Sequence, residues 1–355
     1  MGQTALASAE SDRWADYPSC VVCGSLKLSE LAGPERMALE AVQRERLFRE
    51  LFPKGTPGYM LKDRAYSTQG YDARLLACEE CGTLARDPHL STRGEVESYS
   101  EDSYHPRWME TSYREYEAAF ESRMPELLKW VGPTARVLEV GSFVGGFLAA
   151  AKRLGWRAEG VDVGDCVASF ARSKGLDVHT GRLEERCFPS GRFDAVFVWS
   201  CFDQLPQPWE QLREFHRILD DDGRLLIRVP NGDFVKRIQR LERWAPSDSV
   251  REGLRNVLAL EGLAGFPYQL GYTPASLTKM LRDSGFQSIR VRSERNMRGS
   301  VHARGGKALR CVHAGSRFVQ HATFGAVNLG PWIEVSCSKA PLTFAENELP
   351  LLCVA

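Results

Sequence analysis

Two copies of one pattern, Cys20-Val-Val-Cys23-Gly24 and Cys78-Glu-Glu-Cys81-Gly82, carry the residue types and spacing that dictate chemistry most directly. A two-residue gap lets both thiolates of a pair point at one ion, and the glycine behind them permits the tight turn. Two such knuckles supply the four thiolates of a closed, tetrahedral, structural zinc site. The competing reading is two unrelated pairs of buried or redox-active thiols. The 54 residues between the pairs are many for a compact zinc ribbon. Within them "ERMALEAVQRERLFRELF" (35–52) predicts an inserted helix, with Met37, Leu39, Val42, Leu47 and Leu51 approximating one face. The other cysteines, Cys166, Cys187, Cys201, Cys311, Cys337 and Cys353, stand singly in apolar contexts and read as small core residues.

A second constellation is "VLEVGSFVGGFL" (137–148), an apolar run containing Glu139 and leading into Gly141, Gly145 and Gly146. Gly141 permits a sharp exit from a strand, while Gly145 and Gly146 let backbone approach a ligand and let a helix begin close to a sheet. Asp162 closes the next apolar run, 21 residues after Gly141, a spacing at which an acid accepts hydrogen bonds from ribose hydroxyls. The dinucleotide pattern G-x-G-x-x-G is not met, because position 143 is Phe. Glu139 would repel a pyrophosphate, yet it suits an amino group.

The elements that must hold these residues alternate from 135 onward. Strands "RVLEV" (136–140), "AEGVD" (158–162), "DVHTG" (177–181), "FDAVFVWS" (193–200) and "GRLLIRVP" (223–230) are interleaved with helices at 146–155, 165–175 and 208–219. A helix at 273–285 and strands at 288–294 and 331–339 follow. Such alternation predicts an α/β fold, a doubly wound parallel sheet with helices on both faces. Residues 1–95 read as the zinc-bearing module, broken by "FPKGTPGY" (52–59), and 96–134 as a helical linker or substrate-side cap reaching Trp130 before the breaker "VGPT". Residues 135–340 form the main domain, with 231–271 too long for a simple connection and expected as a lid insertion; 341–355 is a tail. Residues 296–330 give no clear pattern.

Over roughly residues 135–295 the chain resembles the class I S-adenosylmethionine-dependent methyltransferases, whose first motif is matched by "VLEVGSFVGGFL". The resemblance implies a Rossmann-like sheet and a cofactor site in which Glu139, Gly141, Ser142, Phe143, Gly145 and Gly146 border the methionine part and Asp162 the ribose. "GRLEE" (181–185) resembles the family's adenine-side turn, placing Leu183 and Glu184 beside the base, and Trp199 would wall the pocket. "FDAVFVWSCFDQLPQPWEQLREFHRILDDDGRLLIRVPN" (193–231) resembles the fourth strand, helix and fifth strand. Zinc-knuckle N-termini joined to this domain also resemble bacterial small-molecule methyltransferases, including sugar-modifying ones. Two departures stand out: Phe143 replaces a common glycine, and Phe202-Asp203-Gln204 stands where many relatives have Glu-His.

Methyl transfer needs a nucleophile aligned with the S–CH3 bond, water excluded, and for some acceptors a base. Asp203, just past the fourth strand, is the first candidate for base or substrate-orienting group, against a loop-capping role. Tyr104 and His105 are further catalytic candidates; Gln204, Arg228 and Asn231 are candidates for substrate contact, although Asn231 equally suits an Asn-Gly turn. Lys+Arg and Asp+Glu both number 46, which argues against a broad electrostatic nucleic-acid surface and favours a small molecule such as a sugar nucleotide or natural-product intermediate. A macromolecule methyltransferase using the cysteine module for docking, and a non-catalytic S-adenosylmethionine-binding protein, are the alternatives. No window approaches 18 consecutive apolar residues and "MGQTALASAESDRW" lacks a signal's cationic start, so a cytoplasmic protein without a membrane span is expected. Oligomeric state is not legible.

Overall fold

The structure, a computed structural model, describes residues 13–51, 72–100, 104–266, 269–294 and 328–340. It begins with β1 (Trp14–Ala15), β2 (Leu28–Ala32), α1 (Pro34–Leu51), β3 (Arg74–Cys78), β4 (Leu84–Asp87), β5 (His89–Leu90) and α2 (Thr92–Ser100). Helices α3 (Pro106–Glu121) and α4 (Met124–Val131) precede the alternating stretch β6 (Arg136–Val140), α5 (Gly146–Arg153), β7 (Arg157–Asp162), α6 (Asp165–Ser173) and β8 (Asp177–Thr180). A 3-10 turn at Leu183–Arg186 leads to β9 (Phe193–Trp199), α7 (Pro208–Ile218) and β10 (Leu219–Pro230). The chain continues through α8 (Gly232–Arg243), α9 (Asp248–Leu260), β11 (Leu270–Gly271), α10 (Pro274–Asp283), β12 (Gln287–Glu294) and β13 (Trp332–Ser338). The helical stretch expected within 96–134 is therefore three helices, the first beginning at Thr92. Pro106 and Pro125 sit in the first turns of α3 and α4. Proline is tolerated there because its missing N–H would go unpaired anyway, whereas it breaks a helix interior.

Two compact units result, one from Met1–Ser98, Val229–Leu277 and Arg292–Ile333, the other from Tyr99–Arg228, Thr278–Val291 and Glu334–Ala355. In the first, an antiparallel sheet of order β11-β4-β3-β2 packs a core containing Leu75, Leu84, Phe234, Val235, Leu258, Leu263 and Phe266. Residues 231–271, expected as a lid on the main domain, are instead built into this unit as α8, α9 and β11, with Leu270 opposite Ala85 and Gly271 opposite Leu84. The inward face of α1 also differs from the apolar pattern: Met37 is buried, but Leu39 and Val42 are exposed, and Glu40 and Arg44 point inward. Glu40 accepts from Gly265 N (2.8 Å) and pairs with Arg36 (2.9 Å), while Arg44 donates to Ala264 O (3.4 Å). Buried charge is tolerable when it is paired in this way, and no count of apolar residues reveals it.

The larger sheet has seven strands in the order β12-β13-β10-β9-β6-β7-β8. The pairs β10–β9, β9–β6, β6–β7 and β7–β8 are parallel. β13 runs antiparallel to β10: Lys339 N donates to Gly223 O at one end and Asn231 N to Pro331 O at the other, both at 2.9 Å. The connections run outward from β6 through β7 to β8 and from β9 to β10 on the other side, so the topological switch lies between β6 and β9. Ligands of such sheets bind beyond the carboxyl ends at that point. The doubly wound Rossmann-like fold expected from the strand–helix alternation is the fold observed. Among the described residues no helix is long and apolar enough to cross a membrane. The breaker at 52–59, residues 296–327, His302, His313, His321, Cys311, Cys353 and the 341–355 tail lie outside the described residues.

Candidate active site and four-thiol centre

The loop after β6 is held open by its own chain. Gly141 (φ 73°) leaves the strand with its N–H on Val161 O (2.8 Å), and Ser142 N donates to the same oxygen (3.2 Å). Phe143 takes the left-handed conformation (φ 49°) that glycine commonly supplies. Its N–H donates to Asp162 Oδ2 (2.7 Å), while Gly164 N donates to Oδ1 (2.8 Å), so the acid closing β7 clamps both loops. The Phe143 ring meets Tyr104, Trp108 and Tyr116 edge-on, with centroids 6.2, 5.6 and 6.0 Å away. The loop thus keeps the path a glycine would give it, at a conformational cost of about 1–2 kcal/mol offset by the aromatic box. Phe143→Ala retains that cost and loses the box, whereas Phe143→Gly loses only the box. The glycine variant is expected to be the more stable of the two by about 1 kcal/mol in urea denaturation; the reverse order would dismiss the strain.

Gly145 (φ 81°) caps α5, and a Cβ there would stand 2.4 Å from Leu176 Cδ1. A Cβ on Gly146 would stand 2.5 Å from Tyr116 Cβ, so its bareness admits α3 against the start of α5, where the sequence suggested room for a ligand. Glu139, inside β6, is 3% exposed and its Oε2 finds no partner in the protein. Burial, and secondarily the Asp162 charge, hold its carboxyl well above the ordinary carboxylate range. Ser142 Oγ is likewise buried without a partner. Gly181 N donates to Asp162 O (2.9 Å), bringing the turn of Leu183 and Glu184 beside β7; Leu183 is buried. Glu184 Oε1 accepts from Arg182 (2.9 Å) and Gln211 (2.5 Å), and its Oε2 stays unpartnered.

Beyond β9 the chain turns sharply at Ser200 (φ 58°). Ser200 N donates to Arg228 O (2.8 Å), Arg228 returns a bond to Ser200 Oγ (2.5 Å), and Gln204 Nε2 donates to Ser200 O (3.2 Å). Tyr99 Oη donates to Gln204 Oε1. Asp203, inside this locked turn, is 1% exposed with neither carboxylate oxygen bonded to another residue; burial pushes its carboxyl up to about 8, against its own backbone N–H and then the Arg228 charge. Trp199 is buried against Phe120 (5.1 Å) and Phe147 (5.8 Å), its Nε1–H unpartnered. Cys201 donates to Val140 O (3.1 Å) and fills the space a Cβ on Gly141 would need. Of the described single cysteines only Cys337 is buried; Cys166 and Cys201 are partly exposed and Cys187 is exposed, so the expected core role holds for one.

The structure therefore brings Glu139, Ser142, Phe143, Asp162, Trp199 and Asp203 to the carboxyl ends of β6, β7 and β9. Tyr104 joins them through Phe143 and stacks on Trp108 (4.7 Å). His105 does not join them: it is exposed, and its Nδ1 accepts from Arg107 N (3.2 Å) as the cap of α3. Asn231 does not either. Fully buried, it caps α8 by accepting from Asp233 N (3.0 Å) and donates to Gly330 O (2.8 Å), so it is a helix cap rather than a turn residue or a substrate contact. Sequence reasoning missed Tyr99, Ser200 and the aromatic box. The spacing of Tyr104, Trp108 and Tyr116 at multiples of four was a readable signal for the box; the left-handed Ser200 left none.

The four predicted thiols meet in the other unit. The Sγ atoms of Cys20, Cys23, Cys78 and Cys81 all lie within 4.8 Å of one another, with Cys20–Cys81 and Cys23–Cys78 at 3.5 Å. Both knuckles share one backbone pattern: Gly24 N and Gly82 N, each at φ 74°, donate to Cys20 O and Cys78 O at 2.8 and 3.0 Å. A tetrahedral ion with bonds of about 2.3 Å sets sulfurs about 3.8 Å apart, so this set fits zinc. The second knuckle is tied down by Lys236, which donates to Gly82 O (3.0 Å), and by Thr273, which donates to Cys81 O (3.5 Å).

A family model described as "Methyltransferase domain" matches residues 111–291, just over half of the chain. The chain belongs to this family, and it is an S-adenosylmethionine-dependent methyltransferase. Among solved structures it is similar to a SAM-dependent methyltransferase from Thermotoga maritima (17% identity, 66% of this chain and 94% of that one, TM-score 0.41). It is also similar to phosphoethanolamine N-methyltransferase 2 of Haemonchus contortus (17%, 79% and 66%, TM-score 0.44). A third likeness is to geranyl diphosphate C-methyltransferase of Streptomyces coelicolor A3(2) (12%, 68% and 84%, TM-score 0.40). No curated protein matches.

Proposed function

We propose that this enzyme methylates a small-molecule acceptor, with Glu139 and Asp162 holding the methyl donor and Asp203 receiving the acceptor's proton. The observation that carries the reading is the set of buried, unpartnered polar atoms at the strand ends: Glu139 Oε2, Ser142 Oγ, Trp199 Nε1 and both oxygens of Asp203. Buried polar atoms are otherwise almost always satisfied, so a set of orphans in one place asks for a polar ligand. S-adenosylmethionine fits their chemistry. Glu139 offers a carboxylate to its ammonium group, and that positive charge would offset the burial that raises the carboxyl's proton affinity. Asp162 spends one lone pair of each oxygen on Phe143 N and Gly164 N and keeps others for ribose hydroxyls. Leu183 and Glu184 flank the base, and Trp199 closes the side toward β9. When bound, the donor supplies an electrophilic sulfonium methyl.

Asp203, with Gln204 and Arg228 beside it, faces the acceptor, and its elevated proton affinity suits a base working near neutrality. The zero net charge favours a small acceptor over a nucleic acid. The four thiols hold zinc as a structural ion. Isothermal titration with S-adenosylmethionine and S-adenosylhomocysteine tests the site: micromolar binding of both is expected. Asp162→Ala should weaken both by about a hundredfold, since a charged hydrogen-bond acceptor and the loop clamp go together. Unchanged affinity in that variant would remove the ribose assignment.

A further inference from the structure

Among the described residues every large apolar side chain left exposed, Leu26, Leu39, Val42, Leu241, Trp244 and Val250, belongs to the four-thiol unit. Trp244 is 84% exposed at the end of α8, although tryptophan is normally well buried and is concentrated, with arginine, at the centres of interfaces. Its neighbours on the outward side of α8 are Leu241 and the exposed Arg240 and Arg243, neither of which has an ion-pair partner among the described residues. On α1, Glu35, Leu39 and Val42 lie opposite the buried Met37, Glu40 and Arg44, by the 3.6-residue period. Glu35 too is exposed and without an ion-pair partner among the described residues. One face offers apolar surface with unpaired acid, the other apolar surface with unpaired base. Within the chain the two helices adjoin, since Arg36 of α1 pairs with Glu242 of α8.

We infer that two copies of this chain associate through this unit, the α1 face of each (Glu35, Leu39, Val42) covering the α8 face of the other (Arg240, Leu241, Arg243, Trp244). A patch carrying both halves of a complementary pair meets itself across a twofold axis, each contact occurring twice. A bilayer is a poorer occupant: four apolar side chains give little insertion, and Asp248, 96% exposed in the next turn, would face anionic headgroups. Two unpaired arginines are too few for nucleic acid. The inference does not depend on which acceptor is methylated.

Sedimentation equilibrium of the full chain at micromolar concentrations reads it directly. The wild type should have the mass of a dimer, and Val42→Glu and Trp244→Glu should each give monomers. Glu35→Arg and Arg243→Glu should each weaken association at least about tenfold, and the two reversals together should restore it. All these positions are exposed, so circular dichroism and donor binding should match the wild type; where one variant misfolds, the charge-reversal pair carries the test. A wild type that stays monomeric throughout overturns the inference, as does a dimer that none of the variants disturbs.

Discussion

Removing the zinc proposed for the Cys20–Cys23–Cys78–Cys81 site should produce the largest loss of stability in this protein. Structural zinc contributes apparent binding energies of about 10–16 kcal/mol in small zinc domains. Here part of that is shared with the apolar core of the same unit. The knuckles are nonetheless central to it: Cys78 closes β3 opposite Leu28 of β2, and the second knuckle receives Lys236 and Thr273. Without an ion, four thiols packed within 4.8 Å face one another with no charge to bind. The crowding shows in their ionisation. The hydrogen bond with Cys81 and, after it, burial raise Cys20, while Cys81, accepting from Cys20 and Thr83, is held down at about 4. Elemental analysis should find one zinc per chain. Chelation, or Cys20→Ser with Cys78→Ser, should split the calorimetric melt, lowering one transition by well over 10 °C and leaving a second near its original temperature. A protein that contains no zinc, or whose melt the double variant leaves unchanged, would remove the metal altogether.

Much of this was legible because the chemistry is local. The C-x-x-C-G knuckles are defined by turn geometry within five residues, and both appear with the same bonds and the same positive φ at the glycine. The doubly wound sheet was equally readable, since strands such as "FDAVFVW", buried but for Asp194, leave little choice of element. Glu139 announced itself as an acid inside such a strand. What failed was whatever depends on partners distant in sequence. Segment 231–271 carries ordinary amphipathic helices, and nothing in their pattern says which unit their apolar faces join. The inward Glu40 and Arg44 reach the Gly265 and Ala264 backbone, more than 200 residues away.

Phe143 is the instructive middle case. Its departure from glycine was visible in the sequence, but its consequence for the loop was not. The outcome depends on Trp108 and Tyr116, whose side chains reach it from α3, and on Asp162, which bonds its amide. A left-handed phenylalanine held by three rings and a carboxylate preserves the loop, so this substitution gives no ground for reading the chain as a non-catalytic relic.

Replacing Asp203 should separate stability from turnover. Its carboxyl titrates near 8 in the folded protein, chiefly because it is buried, and near 3.8 when unfolded. Between those values the folded state binds more protons than the unfolded state. Stability therefore falls as pH rises through that window and levels off above 8. At pH 7 the cost is on the order of 4 kcal/mol. Asp203→Asn removes it but leaves a buried amide short of partners, at about 1–3 kcal/mol. The net expectation is a gain of about 1–3 kcal/mol at pH 7, with a shallower pH dependence between 4 and 8 in urea denaturation. Donor affinity should not change, because Glu139 and Asp162 are the residues proposed to hold the donor. Methyl transfer to an acceptor that must lose a proton should fall by about 10²–10⁴. In the wild type, transfer should rise with pH through about 8, as the carboxylate forms. A variant that is less stable at pH 7, with an unaltered pH slope, would mean that Asp203 is an ordinary loop residue. A variant that is more stable and still transfers methyl would mean that its burial serves something other than taking the proton.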